Sequence, residues 1–368
     1  MSLRRSARLG ALPVKPLLPN VPRVQHSGVA KPRKTSKPKK TSTTQTPTDS
    51  TSSYWSPEPP AVTDSTDDPE KQRPPRTNNR LSTPPPLNRP VDPHRTNATL
   101  LTPHGSSVNA YPINLEDASP SKTGLPRPTA TTGTLLEQGI AHLLATDPRL
   151  KTVIEQHPCP LFSPTGLAEQ IDPFNSLVSS IIGQQVSGAA AKSIRKKFVA
   201  LFELPGEADA GAVPHSRFPT PQEVARCDIP MLRTAGLSQR KAEYIQGLAE
   251  KFASGELSAQ ILATASDEEL VERLTAVRGL GRWSVEMFAC FALKRIDVFS
   301  TGDLGVQRGC AAFVGRDVSK LKGKGGGKFK YMSEKDMLEL AAKFAPYRSL
   351  FMWYMWRIEN VDVAVLTG

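Results

Sequence analysis

The stretch of this chain richest in chemistry is LTAVRGLGRWSVEMFACFALKRIDVFSTGDLGVQRG, residues 274–309. Its first half ends a helix with Leu274 and Val277, reverses at Gly279-Leu280-Gly281 and starts a new helix near Arg282. Glycines suit such a reversal, where the chain needs positive φ or where a neighbour must approach the backbone closely. A hairpin of this kind leaves unpaired amides at a helix N-terminus. With Arg278 or Arg282 beside them, those amides form a device for holding a phosphate. The same residues also fit an ordinary helix–turn–helix corner with a glycine C-cap. The second half contributes Asp303, 22 residues after Gly281. By position it is either the N-cap of the next helix or a lone carboxylate in a cleft beside the hairpin.

Other chemistries find little support. The four cysteines, at 159, 227, 290 and 310, are too far apart for a zinc or iron–sulfur clip, and a reducing intracellular compartment is the simpler reading. The six histidines all lie at or before His215, so no histidine-based triad or metal site can be built from the last part of the chain alone. The basic, glycine-rich insertion RDVSKLKGKGGGKFKYM, residues 316–332, is not a nucleotide-binding P-loop, because position 322 is Lys and no Ser or Thr follows Lys328. It reads either as a flexible surface loop or as a mobile arm contacting phosphates. No run approaches the ~18 apolar residues of a membrane span, so no membrane partner is expected.

The elements that must position these residues are helical. Leu135, Leu136, Ile140, Leu143 and Leu144 recur at helical spacing, and Leu177, Ile181 and Ile182 do so after Pro173. Ser187 is a plausible N-cap, and Ser266-Asp-Glu-Glu269 is a capping box. Further helices are expected over Trp283–Leu293, Asp303–Val314, Ser333–Phe344 and Tyr347–Arg357, giving an all-α domain of about ten helices over residues 131–368. The Gly-Leu turn before Arg240 and Lys241 is either a second phosphate-contacting turn or a solvated helix start.

Residues 1–130 read differently. All 13 Phe lie at Phe162 or later, while residues 1–130 are rich in Pro, Ser, Thr and Lys and poor in large apolar side chains. Such a segment cannot offset its ordering entropy and is expected to be a disordered tail. It carries most of the chain's net charge of +12. A basic tail suggests an acidic polymer as partner. KPRKTSKPKK, Lys31–Lys40, has the composition of a nuclear import signal, while the Arg-rich first twelve residues suit a mitochondrial presequence.

GQQVS (Gly183–Ser187), VRGLGRWSVEMF and STGDLGVQRG together resemble the helix–hairpin–helix DNA glycosylases. They are most similar to the 3-methyladenine branch of bacterial inducible alkylbase glycosylases and their fungal relatives. FAPYRSLFMWYMWRI (Phe344–Ile358) resembles that branch's closing helix. The resemblance covers about residues 165–360 and implies a two-lobed helix–hairpin–helix fold. It also implies a monofunctional glycosylase that releases alkylated purines from double-stranded DNA in base excision repair, working as a monomer, while the basic run Lys31–Lys40 points to the nucleus and the Arg-rich start to a mitochondrial share.

The resemblance places the catalytic carboxylate at Asp303. Trp283 falls where the relatives that also cut the backbone carry a Schiff-base lysine. Trp283, Trp356 and Met287 fall at the base pocket, Met287 replacing an aromatic residue of the bacterial relative. Tyr347 and Trp353 read as packing. Gln184, Gln185 and Ser187 fall on the loop entering the duplex, with Gln185 replacing an apolar wedge. Gly302 stands where relatives often have a second acid. Arg278, Gly279, Leu280, Gly281 and Arg282 form the DNA-binding hairpin, and the carbonyls of Thr275, Val277 and Leu280 are the positions for a monovalent cation. No cofactor and no iron–sulfur cluster is implied. Two other functions use the same motifs: a non-catalytic module binding damaged DNA, and a bifunctional glycosylase/lyase for oxidised bases.

Overall fold

Short polar side chains set most helix starts in this chain. Asp172, Ser187, Thr220, Asp228, Ser238, Ser258, Ser266, Asp303 and Ser333 each accept from a first-turn amide of the helix that follows. Each such cap satisfies a donor that the helix cannot, at a value of roughly 1 kcal/mol. The structure, a computed structural model, describes residues 87–112, 117–125, 127–203, 217–323, 327 and 329–358. Among these, nine helices have nine or more residues: α1 Leu135–Thr146, α2 Pro173–Gly183, α3 Gly188–Ala200, α4 Gln239–Ser254, α5 Asp267–Thr275, α6 Arg282–Phe291, α7 Leu304–Phe313, α8 Glu334–Ala342 and α9 Arg348–Ile358. Shorter helices link them, Pro221–Arg226, Ile229–Thr234 and Ala259–Thr264 among these. No helix among the described residues is long and apolar enough to cross a membrane.

Two apolar cores divide these helices. One gathers α2, α4 and α5 around Leu177, Ile181, Ile245, Leu248 and Leu274. The other gathers α1, α7, α8 and α9 around Leu143, Val306, Met337, Phe351 and Tyr354. Helix α6 serves both. Its Val285, Phe288 and Ala289 join the first core, and its Met287, Cys290 and Phe291 join the second. A helix that is apolar nearly all round must be enclosed on both sides, so the expected two lobes are joined through the helix that follows the GLG turn.

The expected tail boundary at residue 130 is corrected. Ordered structure is present from residue 87, and of the proposed tail residues 1–86, 113–116 and 126 lie outside the described residues. Strands β1 Pro90–Val91 and β4 Ala130–Thr131 pair antiparallel. Strand β2 Thr99–Leu101 pairs antiparallel with β3 Ser107–Val108 and parallel with β5 Gln170–Ile171. Arg89, only 4% exposed, donates to the carbonyls of Asn97 and Leu167. Asn97 in turn donates to Lys294, and its amide donates to Leu293, just after α6. These polar side chains bonded to backbone secure the segment together with Leu100, buried in the first core, and Val91, buried in the second. The basic insertion is also partly structured: Val318–Gly323 is helical, while 324–326 and 328 lie outside the described residues.

Candidate active site

Asp303 is the N-cap of α7, and its half-buried carboxylate also accepts from two side chains outside that helix. Its Oδ1 accepts the Val306 amide at 2.9 Å, which caps α7. Oδ1 also accepts Trp356 Nε1 at 2.9 Å, and Oδ2 accepts Trp283 Nε1 at 2.9 Å. Two indoles from different helices therefore fix the carboxylate plane. A carboxylate has about four acceptor positions, so these three bonds leave one for a water or a substrate atom.

Each indole is itself placed. Trp283 is 37% exposed in the first turn of α6. Trp356 is half-buried and stacks on Phe291 with ring centroids 5.4 Å apart. The start of α9 is anchored by Asp297, which accepts both Arg348 Nε and Arg348 Nη2 at 2.8 Å. On α6, Glu286 accepts from Arg282 Nε at 2.9 Å and from the Ser300 hydroxyl at 2.6 Å. That carboxylate ties the helix after the hairpin to the segment that leads into Asp303.

The hairpin's two glycines are required to different degrees. Gly279 has φ +94, and a Cβ there would collide with the Tyr244 ring, so this glycine meets both steric requirements. Gly281 differs: its φ is −92 and a Cβ there would meet open space. Neither requirement applies at Gly281 within the protein. As N-cap of α6, Gly281 supplies no side-chain bond to the first-turn amides. Arg278 lies over the Tyr244 ring and Arg282 is exposed.

Beside the hairpin lies the loop after α2. Gln185 is exposed with φ +55, a left-handed conformation that costs an ordinary residue about 1–2 kcal/mol. Gln184 Nε2 donates to the Gly279 carbonyl at 2.8 Å. Lys241 Nζ donates to the carbonyls of Ile182 and Gln184, at 2.7 Å each. Burial pushes the Lys241 pKa below its ordinary value. Lys241 thus holds the loop, while Ser238, Gln239 and Arg240 beside it form the exposed start of α4. Ser187 caps α3 through the Ala190 amide.

The structure brings Asp303, Trp283 and Trp356 together, and joins Gln184 to the hairpin. Met287 is 2% exposed and belongs to the second core, against which Trp356 packs. The Leu280 and Val277 side chains are also buried, so only their backbone can face a ligand. Tyr347 packs its ring against His142 and Trp353 is buried in the second core, both as packing residues. Sequence reasoning missed the loop-holding role of Lys241 and the Glu286–Ser300 bond. Only the Arg282/Glu286 spacing of four hinted at the second.

A family model described as HhH-GPD superfamily base excision DNA repair protein matches residues 178–324, which include the Gln184 loop, the hairpin and Asp303. The chain is 33% identical over 245 residues to a DNA-3-methyladenine glycosylase of Saccharomyces cerevisiae, spanning 60% of this chain and 79% of that protein. It is 29% identical over 201 residues to DNA-3-methyladenine glycosylase 1 of Schizosaccharomyces pombe, spanning 54% of this chain and 78% of that protein. Among solved structures it is similar to a DNA-3-methyladenine glycosidase from Bacillus halodurans, at 34% identity and a TM-score of 0.44, covering 60% of this chain and 88% of that one.

Proposed function

The chain belongs to the HhH-GPD superfamily of base excision DNA repair proteins, in its 3-methyladenine glycosylase branch, and on that premise we propose that it hydrolyses the N-glycosidic bond of alkylated purines in double-stranded DNA. The observation that carries the reading is the Asp303 carboxylate held by Trp283 and Trp356 at 2.9 Å each. A purine alkylated at N3 or N7 is cationic, so it leaves as a neutral base without a proton from a general acid. Glycoside hydrolases pair two carboxylates because their leaving group needs that proton. One carboxylate suffices here: it stabilises the positive charge that grows on the sugar and guides water to the anomeric carbon. The water adds, its proton is lost, and an abasic site remains.

The target base must leave the stack to reach this carboxylate. Gln185, exposed at the tip of its loop, is the candidate to fill the gap. The exposed face of Trp283 offers an electron-rich surface to a cationic purine. The α6 amides, Arg278 and Arg282 hold the phosphates. A monovalent cation fits the carbonyls of Thr275, Val277 and Leu280. The Val277 oxygen accepts the Leu280 amide at 3.1 Å and keeps a second lone pair. Neutral carbonyl oxygens suit a hard ion, which would supply one positive charge near a DNA phosphate. The protein acts as a monomer, and Lys31–Lys40 supports a nuclear address, with the Arg-rich start supporting a mitochondrial share.

Asp303→Asn tests the mechanism. The new amide presents a donor to one of the two indole donors and removes the charge. Release of 3-methyladenine from methylated DNA, followed by mass spectrometry, is expected to fall by about a hundredfold or more, with DNA binding retained. Release at the wild-type rate would refute the role of Asp303.

A further inference from the structure

Helices α7 and α9 meet where α7 carries glycines at 305 and 309, one turn apart on the same face. At Gly309 a Cβ would collide with the Met355 carbonyl, so the two backbones touch there. Gly305 faces something different. A Cβ there would lie 2.7 Å from Trp356 Cδ1, 3.2 Å from Trp356 Nε1 and 3.2 Å from Asp303 Oδ1. It would crowd the donor and the acceptor of the 2.9 Å Trp356–Asp303 hydrogen bond at once. The indole has little room to yield, because its ring stacks on Phe291.

Backbone conformation does not explain this glycine. Gly305 lies in the first turn of α7 and is not among the positive-φ residues. Alanine is the better helix former at such a position, so the helix forgoes stability by carrying glycine. What the missing side chain provides is space, and the space is occupied by the Trp356 indole.

We infer that Gly305 is a positioning residue: its bare Cα lets Trp356 reach Asp303 Oδ1 and so fixes the direction in which the carboxylate faces the sugar. This rests on the reading of Asp303 as the group that stabilises the sugar cation. With Trp356 displaced, Asp303 keeps the Val306 amide on Oδ1 and Trp283 on Oδ2 but loses the second donor to Oδ1, so its carboxylate can tilt away from the direction that the two indoles set. The residues that hold phosphates lie on other elements and are unaffected.

The test uses the full chain as wild type, Gly305→Ala, Trp356→Phe and the double variant. Single-turnover release of 3-methyladenine is measured together with affinity for abasic DNA and thermal unfolding. Loss of one hydrogen bond to a charged group corresponds to about a ten- to hundredfold fall in rate for Gly305→Ala, with affinity and melting temperature held. On the Trp356→Phe background the same substitution is expected to cost less than about threefold, because the indole it displaces is already gone. In 5-fluorotryptophan-labelled protein, the Trp356 fluorine resonance is expected to move in Gly305→Ala and in Asp303→Asn.

Equal losses on both backgrounds would overturn the inference, as would an unmoved Trp356 resonance. Failure of Gly305→Ala to fold while the double variant folds would support it, since only the smaller Phe ring relieves the collision. If even the wild type releases no base, the glycosylase reading fails, and the fluorine spectra still decide whether Gly305 places Trp356.

Discussion

Gln184 donates its side-chain amide to the Gly279 carbonyl across 2.8 Å, joining the loop after α2 to the hairpin before α6. The bond ties the two segments that carry the proposed duplex contacts to one another. Gln185, next in the chain, is carried on this joined unit with φ +55 and its side chain exposed.

Gln185→Gly separates stability from function at that tip. Glycine relieves the left-handed conformation but adds freedom to the unfolded chain, so the net stability change is expected to stay within about 1 kcal/mol. Base release, lacking the side chain that fills the gap, is expected to fall by about tenfold or more. Chemical unfolding and single-turnover assays on the same preparation check both halves. A variant with unchanged release would remove Gln185 from the wedge role.

The corrected boundary gives a paired truncation. Removing residues 1–86 is expected to leave the melting temperature unchanged and to flatten the salt dependence of DNA binding. The log–log slope should shrink by roughly 0.9 for each phosphate that the tail no longer neutralises. Removing residues 1–130 takes away buried Arg89, Asn97 and Leu100 with their partners. It is expected to destabilise the protein by several kcal/mol or prevent folding. Calorimetry of the two truncations distinguishes a fold that begins near 87 from one that begins after 130.

Schiff-base chemistry is expected to be absent. Trp283 has no amine, and its indole nitrogen is bonded to Asp303. Borohydride added during turnover on alkylated DNA should trap no covalent adduct, as judged by denaturing gel. A trapped band would mean that a lysine elsewhere reaches the anomeric carbon.

Burial pushes the thiols of Cys159 and Cys290 up to about 12 and Cys310 higher still. The thiolate is the species that alkylates. Because these pKa values are raised, the three remain protonated at pH 8 in the native protein and become reactive only on unfolding. Half-buried Cys227, raised less, is expected to react first. Peptide mass spectrometry after iodoacetamide treatment, with and without denaturant, reads the order.

Much of the architecture is legible in the residues because it rests on local signals. The Ser266–Glu269 capping box and the Ser187 cap lie where the sequence indicates, since each bond closes within three residues. The hairpin and Asp303 are legible as a motif, and the Asp303 cap follows the same short-range rule. Residues 87–112 are not, because strands of two or three residues have no measurable period and their anchors are side-chain bonds to distant backbone. Lys241 escapes sequence reasoning for the same reason: its two carbonyl partners lie 59 and 57 residues away. Gly305 carries no signal at all, since a glycine in a helix looks the same whether it yields to a neighbour or not.

Seven of the ten residues of α6 are buried, Arg282 and Trp283 are exposed, and Glu286 lies between. Drift along this helix is therefore confined. A change at any enclosed position disturbs one lobe or the other, and two of the three remaining positions are tied to Asp303 or to the segment before it. A lineage adapting to a different lesion would find few places to begin on this element, and would sooner remodel the surfaces that α7 and α9 present around it.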